Sequence, residues 1–404
     1  MGEGRRTRGS DLWTLLALGF ALVACDSGNS GSGAGSDAAV GGPDGIVEAD
    51  ALENVDVVAD NGPLDTVGLD TVGLDTGVPD DVAVPIPDPD GGPGPDLDAG
   101  SEPDEGSVPT PEGPVDPGCT DGQYSETLPT PDVSLDGLKA SYSAADVNGF
   151  ILSVLDARFP VGRHIVEQAL IHGGQMGDCV AYFAYDTSTA EKVIDTLSVV
   201  VHECGHFLDM GLGGWTDEVF VITDSLTFQC SGGNKFEYGG NTFPRSELMN
   251  DSYAALRPMC AEGQWNGCDS YADIYLTGDS GNQGFSSLME ETVQYVNSLA
   301  TGYAYSDQSA WTVSSKDGIL TFLWYLERYL QRARTLYPDT HAFILGDPCY
   351  RDLILTTWGR AWLFLTATQD ISKLGIEDEV IEALVMDPSL LAEIDLVREA
   401  QGCL

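Results

Sequence analysis

The chain is 404 residues long, with 64 acidic against 18 basic side chains and a formal net charge of −46. A protein that grips a nucleic-acid backbone needs a basic face, so this balance excludes nucleic acid as a partner. Nine cysteines and only five histidines make both residue types informative wherever they fall.

Met1 to Ala24 reads as an export signal. Arg5, Arg6 and Arg8 give a positive start, and Leu12 to Ala21 gives an apolar core too short to be read first as a membrane span. The next residues, Leu22-Val23-Ala24-Cys25, resemble the lipobox of bacterial lipoproteins. That implies cleavage before Cys25, a lipid on its sulfur and a place in the cell envelope or on the cell surface, outside the cytoplasm. The plainer alternative is a secretory signal with an incidental cysteine. Arg5-Arg6 lacks the apolar residues that should follow in a twin-arginine signal.

Residues 25–118 are expected to form a disordered acidic tether. From Asp26 to Gly118 there are 22 Asp and Glu but no Lys, Arg, aromatic residue or Cys. A five-residue repeat begins at Leu64, Leu69 and Leu74. Such a segment cannot bury enough apolar surface to offset its ordering entropy, and like charges with prolines extend it. Asp-rich repeats can bind calcium, but the glycine-rich nonapeptide of calcium-binding β-rolls is absent, so a solvated spacer is the preferred reading and calcium binding the alternative.

Residues 119–404 are expected to fold, as one large domain or two lobes, and still carry 40 acidic against 15 basic residues. All eight remaining cysteines lie here, an even set that reads as up to four disulfides in an exported chain. Cys260 with Cys268 and Cys349 with Cys403 are candidate pairs. Cys204 is either a disulfide partner or a small buried residue.

Helices dominate the expected elements. Ser143-Ala144-Ala145-Asp146 opens one that runs to Arg158, with Pro160 as its stop. Val180 to Tyr185 reads as a short strand. Thr187 or Ser188 caps a helix through Val193, Leu197 and Val200 that ends at Gly211 to Gly214. Short strands follow around Val219 to Phe228. Further helices are expected over Phe285 to Ala300, Asp317 to Leu336, Tyr350 to Thr368 and Glu377 to Glu399. Glu327, Arg328 and Arg360 interrupt the most apolar of these, which therefore read as core helices rather than membrane spans.

The chemistry is concentrated in Val199-Val200-Val201-His202-Glu203-Cys204-Gly205-His206-Phe207-Leu208-Asp209. On a helix, positions i and i+4 share a face, so His202 and His206 aim two imidazoles at one point, as a zinc ion requires. Glu203 lies about 100° around from His202 and leans over the same point, where it can take a proton from metal-bound water. Cys204 points off that face.

This motif resembles the zincin metallopeptidases. The long metzincin pattern fails, because Asp209 stands where its glycine should be and Leu212 where its third histidine should be. The remaining resemblance is to the gluzincins, which implies a glutamate on a later helix as third ligand and a zincin-like domain: α+β, mostly helical, with a small sheet. The matching segment is Ser286 to Asn297, with Glu291 85 residues beyond His206. Glu291 is preferred, since it shares a face with Tyr295, a potential oxyanion donor; Glu290 is the alternative ligand, and an exposed acidic turn is the bland account of both. Asp209 resembles a zincin carboxylate that orients a ligand histidine, or else marks helix-end polarity. Tyr275, Tyr303 and Tyr305 are further oxyanion candidates. His341 is a second-choice ligand, and His164 and His172 read as structural or surface residues. Arg245 could grip a substrate carboxylate or form a salt bridge.

The resemblance implies Zn2+ as cofactor, Glu203 as general base and a peptide or protein as substrate. Two other readings compete: a surface module that binds zinc without turnover, and a structural protein in which the motif is accidental.

Overall fold

Residues 109–214, 217–250 and 270–404 are described in a computed structural model of the chain. They are mostly helical, with one small sheet. The signal, Cys25, the repeats and the Cys260–Cys268 pair lie outside the described residues.

Helix α1 (Val147–Arg158) starts on Asp146, whose carboxylate accepts from Gly149 N at 3.1 Å. Pro160 interrupts helical structure for one residue only, because a proline is tolerated at a first helical position and there opens α2 (Pro160–His172). The expected strand at Val180 to Tyr185 is instead helical. It forms α3 (Cys179–Phe183), capped by Asp178, which accepts from Ala181 N at 3.1 Å. A short apolar run does not separate strand from helix by periodicity, and here the cap and a disulfide decide. Helix α4 (Ala190–Gly213) carries the His-Glu-x-x-His motif. Its cap is Thr189 rather than Thr187 or Ser188; the Ser188 hydroxyl is turned back onto Asp186 at 2.6 Å. Gly214 ends it with φ +64°, a conformation that favours glycine.

Strands β1 (Glu218–Val221) and β2 (Thr227–Cys230) form an antiparallel pair with Glu218 opposite Cys230 and Val221 opposite Thr227. Every residue of β1 is buried, and the strand packs on α4. Helices α5 (Phe285–Ala304), α6 (Ser315–Leu336), α7 (Pro338–Gly346), α8 (Pro348–Ala367), α9 (Asp378–Val385) and α10 (Pro388–Gln401) follow, and short helices of four to six residues lie at Thr120–Gln123, Asp136–Ala140, Ser270–Tyr275 and Gly278–Gly281. Helix α5 is central: it packs on α4, α6 and α8, and 17 of its 20 residues are buried. Residues Ile319 to Leu330 of α6 are all buried, and no described helix is long and apolar enough to cross a membrane.

Among the described residues three disulfides are formed: Cys119–Cys403, Cys179–Cys204 and Cys230–Cys349. The expected Cys349–Cys403 pair is thus corrected. Cys349 sits at the start of α8 against the end of β2, while the C-terminus returns to the start of the domain. Bonds of this kind belong to an oxidising environment outside the cytoplasm.

Packing also begins before Cys119. Trp358 Nε1 and Arg398 Nη2 both donate to the Pro114 carbonyl, at 2.9 and 2.8 Å. Gly113, at φ +107°, lies so close to Trp362 that a Cβ there would be 2.5 Å from its ring.

Candidate metal centre

Helices α4 and α5 cross with little between them. A Cβ on Gly205 would fall 1.8 Å from Gln294 Oε1. The glycine inside the motif is therefore what lets the two helices approach, and the approach sets the site.

Across that crossing, His202, His206 and Glu291 converge as a buried group able to hold a metal ion. His202 Nε2 and His206 Nε2 are 3.2 Å apart, and Glu291 Oε2 lies 3.6 Å from the first and 3.5 Å from the second. Bonds of about 2.0–2.1 Å at tetrahedral angles require ligand atoms roughly 3.3–3.5 Å apart, so the triangle has the right size. All three residues are buried, at 6, 2 and 1 % exposure. Glu291 Oε2 meets the two imidazole nitrogens at ion-pair distance without a well-formed hydrogen bond, as Glu290 Oε1 meets His206 and Lys235. A buried carboxylate oxygen without such a bond is costly, and a cation would satisfy it.

The other ring nitrogens are held. His202 Nδ1 is 3.0 Å from Ser298 Oγ, and His206 Nδ1 is 3.2 Å from Glu290 Oε1. Glu290 Oε1 faces His206 Nδ1, which turns Nε2 towards the metal position. Glu290, the alternative ligand of the sequence reading, is thus a partner of His206 and not of the triangle. Lys235 Nζ holds the same carboxylate oxygen at 2.7 Å.

Asp209 accepts from Val221 N at 2.8 Å and from Gln294 Nε2 at 3.0 Å. It ties α4 to β1 and α5, and the orienting of a histidine falls to Glu290. The network continues inward: Asn297 donates to Gln294 Oε1 at 2.9 Å and accepts from Arg360 Nη1 at 2.7 Å, and Arg360 pairs with Glu126. Asp209, Gln294, Asn297, Arg360 and Glu126 thus form one continuous hydrogen-bonded network, which fixes the α4–α5–α8 geometry.

Charge follows geometry. Burial alone would lower His206, but the carboxylates of Glu291 and Glu290 overcome it and hold the imidazole well above its ordinary value. Burial dominates at His202, which is lowered despite Glu291. Burial would raise Glu291, yet the two histidines hold it well below the carboxylate range. Burial pushes Glu203 up to about 8, with His206 opposing and the Glu291 charge adding to the rise. Glu203 is 7 % exposed and one residue along the helix from His202. Burial also raises Asp209, helped by the Glu290 charge.

Tyr295 packs its ring edge-on against His202, centroids 4.8 Å apart, and its hydroxyl lies 2.8 Å from that of Tyr275. Burial raises Tyr275 well above its ordinary value, with the charges of Glu291 and Glu203 adding to it, so its ring belongs to this neighbourhood. Tyr305 packs elsewhere, under the Arg158 guanidinium. Arg245 is buried; it donates to the Ser280 carbonyl at 2.8 Å and to Ser287 Oγ at 3.2 Å. Those bonds brace the entry to α5.

A recess beside His206 is bounded by Met210, Lys235, Phe236 and Ser287. Lys235 and Phe236 also line a neighbouring cleft of about 330 Å³, with Asp217, Glu218, Asn234 and Glu237.

Sequence reasoning missed Ser298, Gln294 and Lys235. The first two had a signal: Glu291, Tyr295 and Ser298 follow i, i+4, i+7 along α5, as do Glu290, Gln294 and Asn297. Lys235 had none, because a loop delivers it. No protein-family model matches this chain, and neither the curated proteins nor the solved structures contain a significant match to it.

Proposed function

We propose that the chain is a lipid-anchored, extracytoplasmic zinc-dependent peptidase of zincin type. The observation that carries the reading is the triangle of His202, His206 and Glu291 with Glu203 next to the first ligand on one helix. Two imidazoles and a carboxylate, three protein ligands in all, are the donor set of a catalytic zinc site that keeps a fourth position open. When bound, the ion supplies Lewis acidity to a water and to a substrate carbonyl. His202, His206 and Glu291 would hold it. Glu203, buried beside the first ligand on the same helix, would take the proton of the attacking water and pass it to the leaving amine. Tyr275 and Tyr295 are the nearby hydroxyls suited to a developing oxyanion. The acidic cleft beside the recess suits a cationic stretch of peptide.

The test is metal content together with hydrolysis of a peptide library by the purified chain. Glu203→Gln should keep about one zinc per chain and lower turnover by roughly 10²–10⁴-fold, the usual worth of a general base. Loss of zinc in that variant, or unchanged turnover, would remove Glu203 from the base role. The near-complete burial of all three ligands favours a second reading, a module that binds zinc without turnover. Bound zinc with no hydrolysis of any peptide would select it.

The three disulfides and the lipobox at Cys25 support the location. Cys25→Ser should move the protein from the membrane pellet to the soluble fraction, read by fractionation and immunoblot. Retention in the pellet would reject the anchor.

A further inference from the structure

Lys235 is 8 % exposed and comes from the loop after β2, not from either helix that supplies the ligands. A buried ammonium is costly unless paired, and here it is spent on one oxygen, Glu290 Oε1, at 2.7 Å. That oxygen is also the one 3.2 Å from His206 Nδ1. Its sequence neighbour Glu291 reaches the two Nε2 atoms instead. Two buried carboxylates thus stand one residue apart on α5, on either side of His206. Without a fixed positive charge, Glu290 would repel Glu291 and compete for the same ion.

We propose that Lys235 is a positioning residue that decides which of the two carboxylates becomes the metal ligand. By holding Glu290 on His206 Nδ1, it keeps that carboxylate out of the metal position, leaves Glu291 as third ligand and fixes His206 with Nε2 facing the ion. The inference rests on the metal-centre reading above.

The test uses the mature chain, with the Zn2+ dissociation constant measured by competition with a chromophoric chelator and the visible spectrum of the Co2+ form. Lys235→Met should weaken Zn2+ binding roughly 10–100-fold, the usual effect of losing a residue that supports a ligand. It should also change the Co2+ bands as Glu290 enters the coordination sphere. Lys235→Arg should restore most of both. In a Glu290→Gln background, Lys235→Met should change affinity by less than about twofold, because the two residues act as one unit. Unaltered affinity and spectrum in Lys235→Met, or its full effect persisting with Glu290→Gln, would overturn the inference and leave the metal centre standing. A parent chain that binds neither Zn2+ nor Co2+ would overturn both. Lys235→Gln, which keeps a donor without the charge, carries the same outcomes if the methionine variant does not fold.

Discussion

Gly205 shows how one residue serves both helix and site. It sits between Glu203 and His206, yet its own part is to be small, since any side chain would enter the space of Gln294. Gln294 cannot swing aside freely, because Asp209 and Asn297 hold its two ends. Gly205→Ala should therefore cost about 2–3 kcal/mol, in the range of overpacking with loss of a buried hydrogen bond. The shift in urea midpoint measures it, and a change below about 0.5 kcal/mol would mean that α4 and α5 separate easily. At this scale His202, Glu203 and His206 were legible from spacing alone. Glu291 was legible from the polar face of its helix once the motif resemblance asked for a later glutamate. The choice against Glu290 matches the triangle, but the reason for it, Lys235, was out of reach.

Among elements, α6 carries an oddity. Glu327 is fully buried, and neither carboxyl oxygen has a hydrogen-bond partner. Burial, aided by the charges of Asp387 and Glu393, holds it well above its ordinary value near 4.5. The unfolded chain gives up this proton near that ordinary value, and the folded chain only at higher pH. Over that interval the folded state binds more protons, so the linked stability is full below about pH 4.5 and is lost as pH rises towards the folded value. Glu327→Gln should flatten this fall and stabilise the protein by about 1 kcal/mol at neutral pH, seen as melting temperature against pH. An unchanged slope between about pH 5 and 8 would show that Glu327 is not its source. Helices with a long apolar repeat were read to within a few residues. The short elements failed where local signals tie: Val180 to Tyr185 suits either state, and Pro160 marks either an end or a start.

For the whole molecule, the covalent ties and the first packed residues matter most. Cys119–Cys403 joins the start of the domain to its C-terminus, and the Pro114 carbonyl accepts from α8 and α10 just before it. A chain starting at Glu105 should keep the stability of the mature protein, whereas one starting at Cys119 should lose about 2 kcal/mol with the two bonds to Pro114. Calorimetry of the two truncations decides, and equal melting temperatures would show that residues before Cys119 contribute nothing.

The sequence by itself determined the composition classes, the helical character of the domain, the two imidazoles on one face and the even cysteine set. Each of these is local or compositional: a period of 3.6, a charge balance, a spacing of four. Only the tertiary structure decided the disulfide pairing, the glycine-sized gap between α4 and α5, and the division of labour between Glu290 and Glu291. Those depend on residues far apart in the chain meeting at distances of about 3 Å, which no local pattern encodes. Lys235 is the clearest case, since its partner lies 55 residues on and its effect exists only where a loop, a strand end and two helices come together.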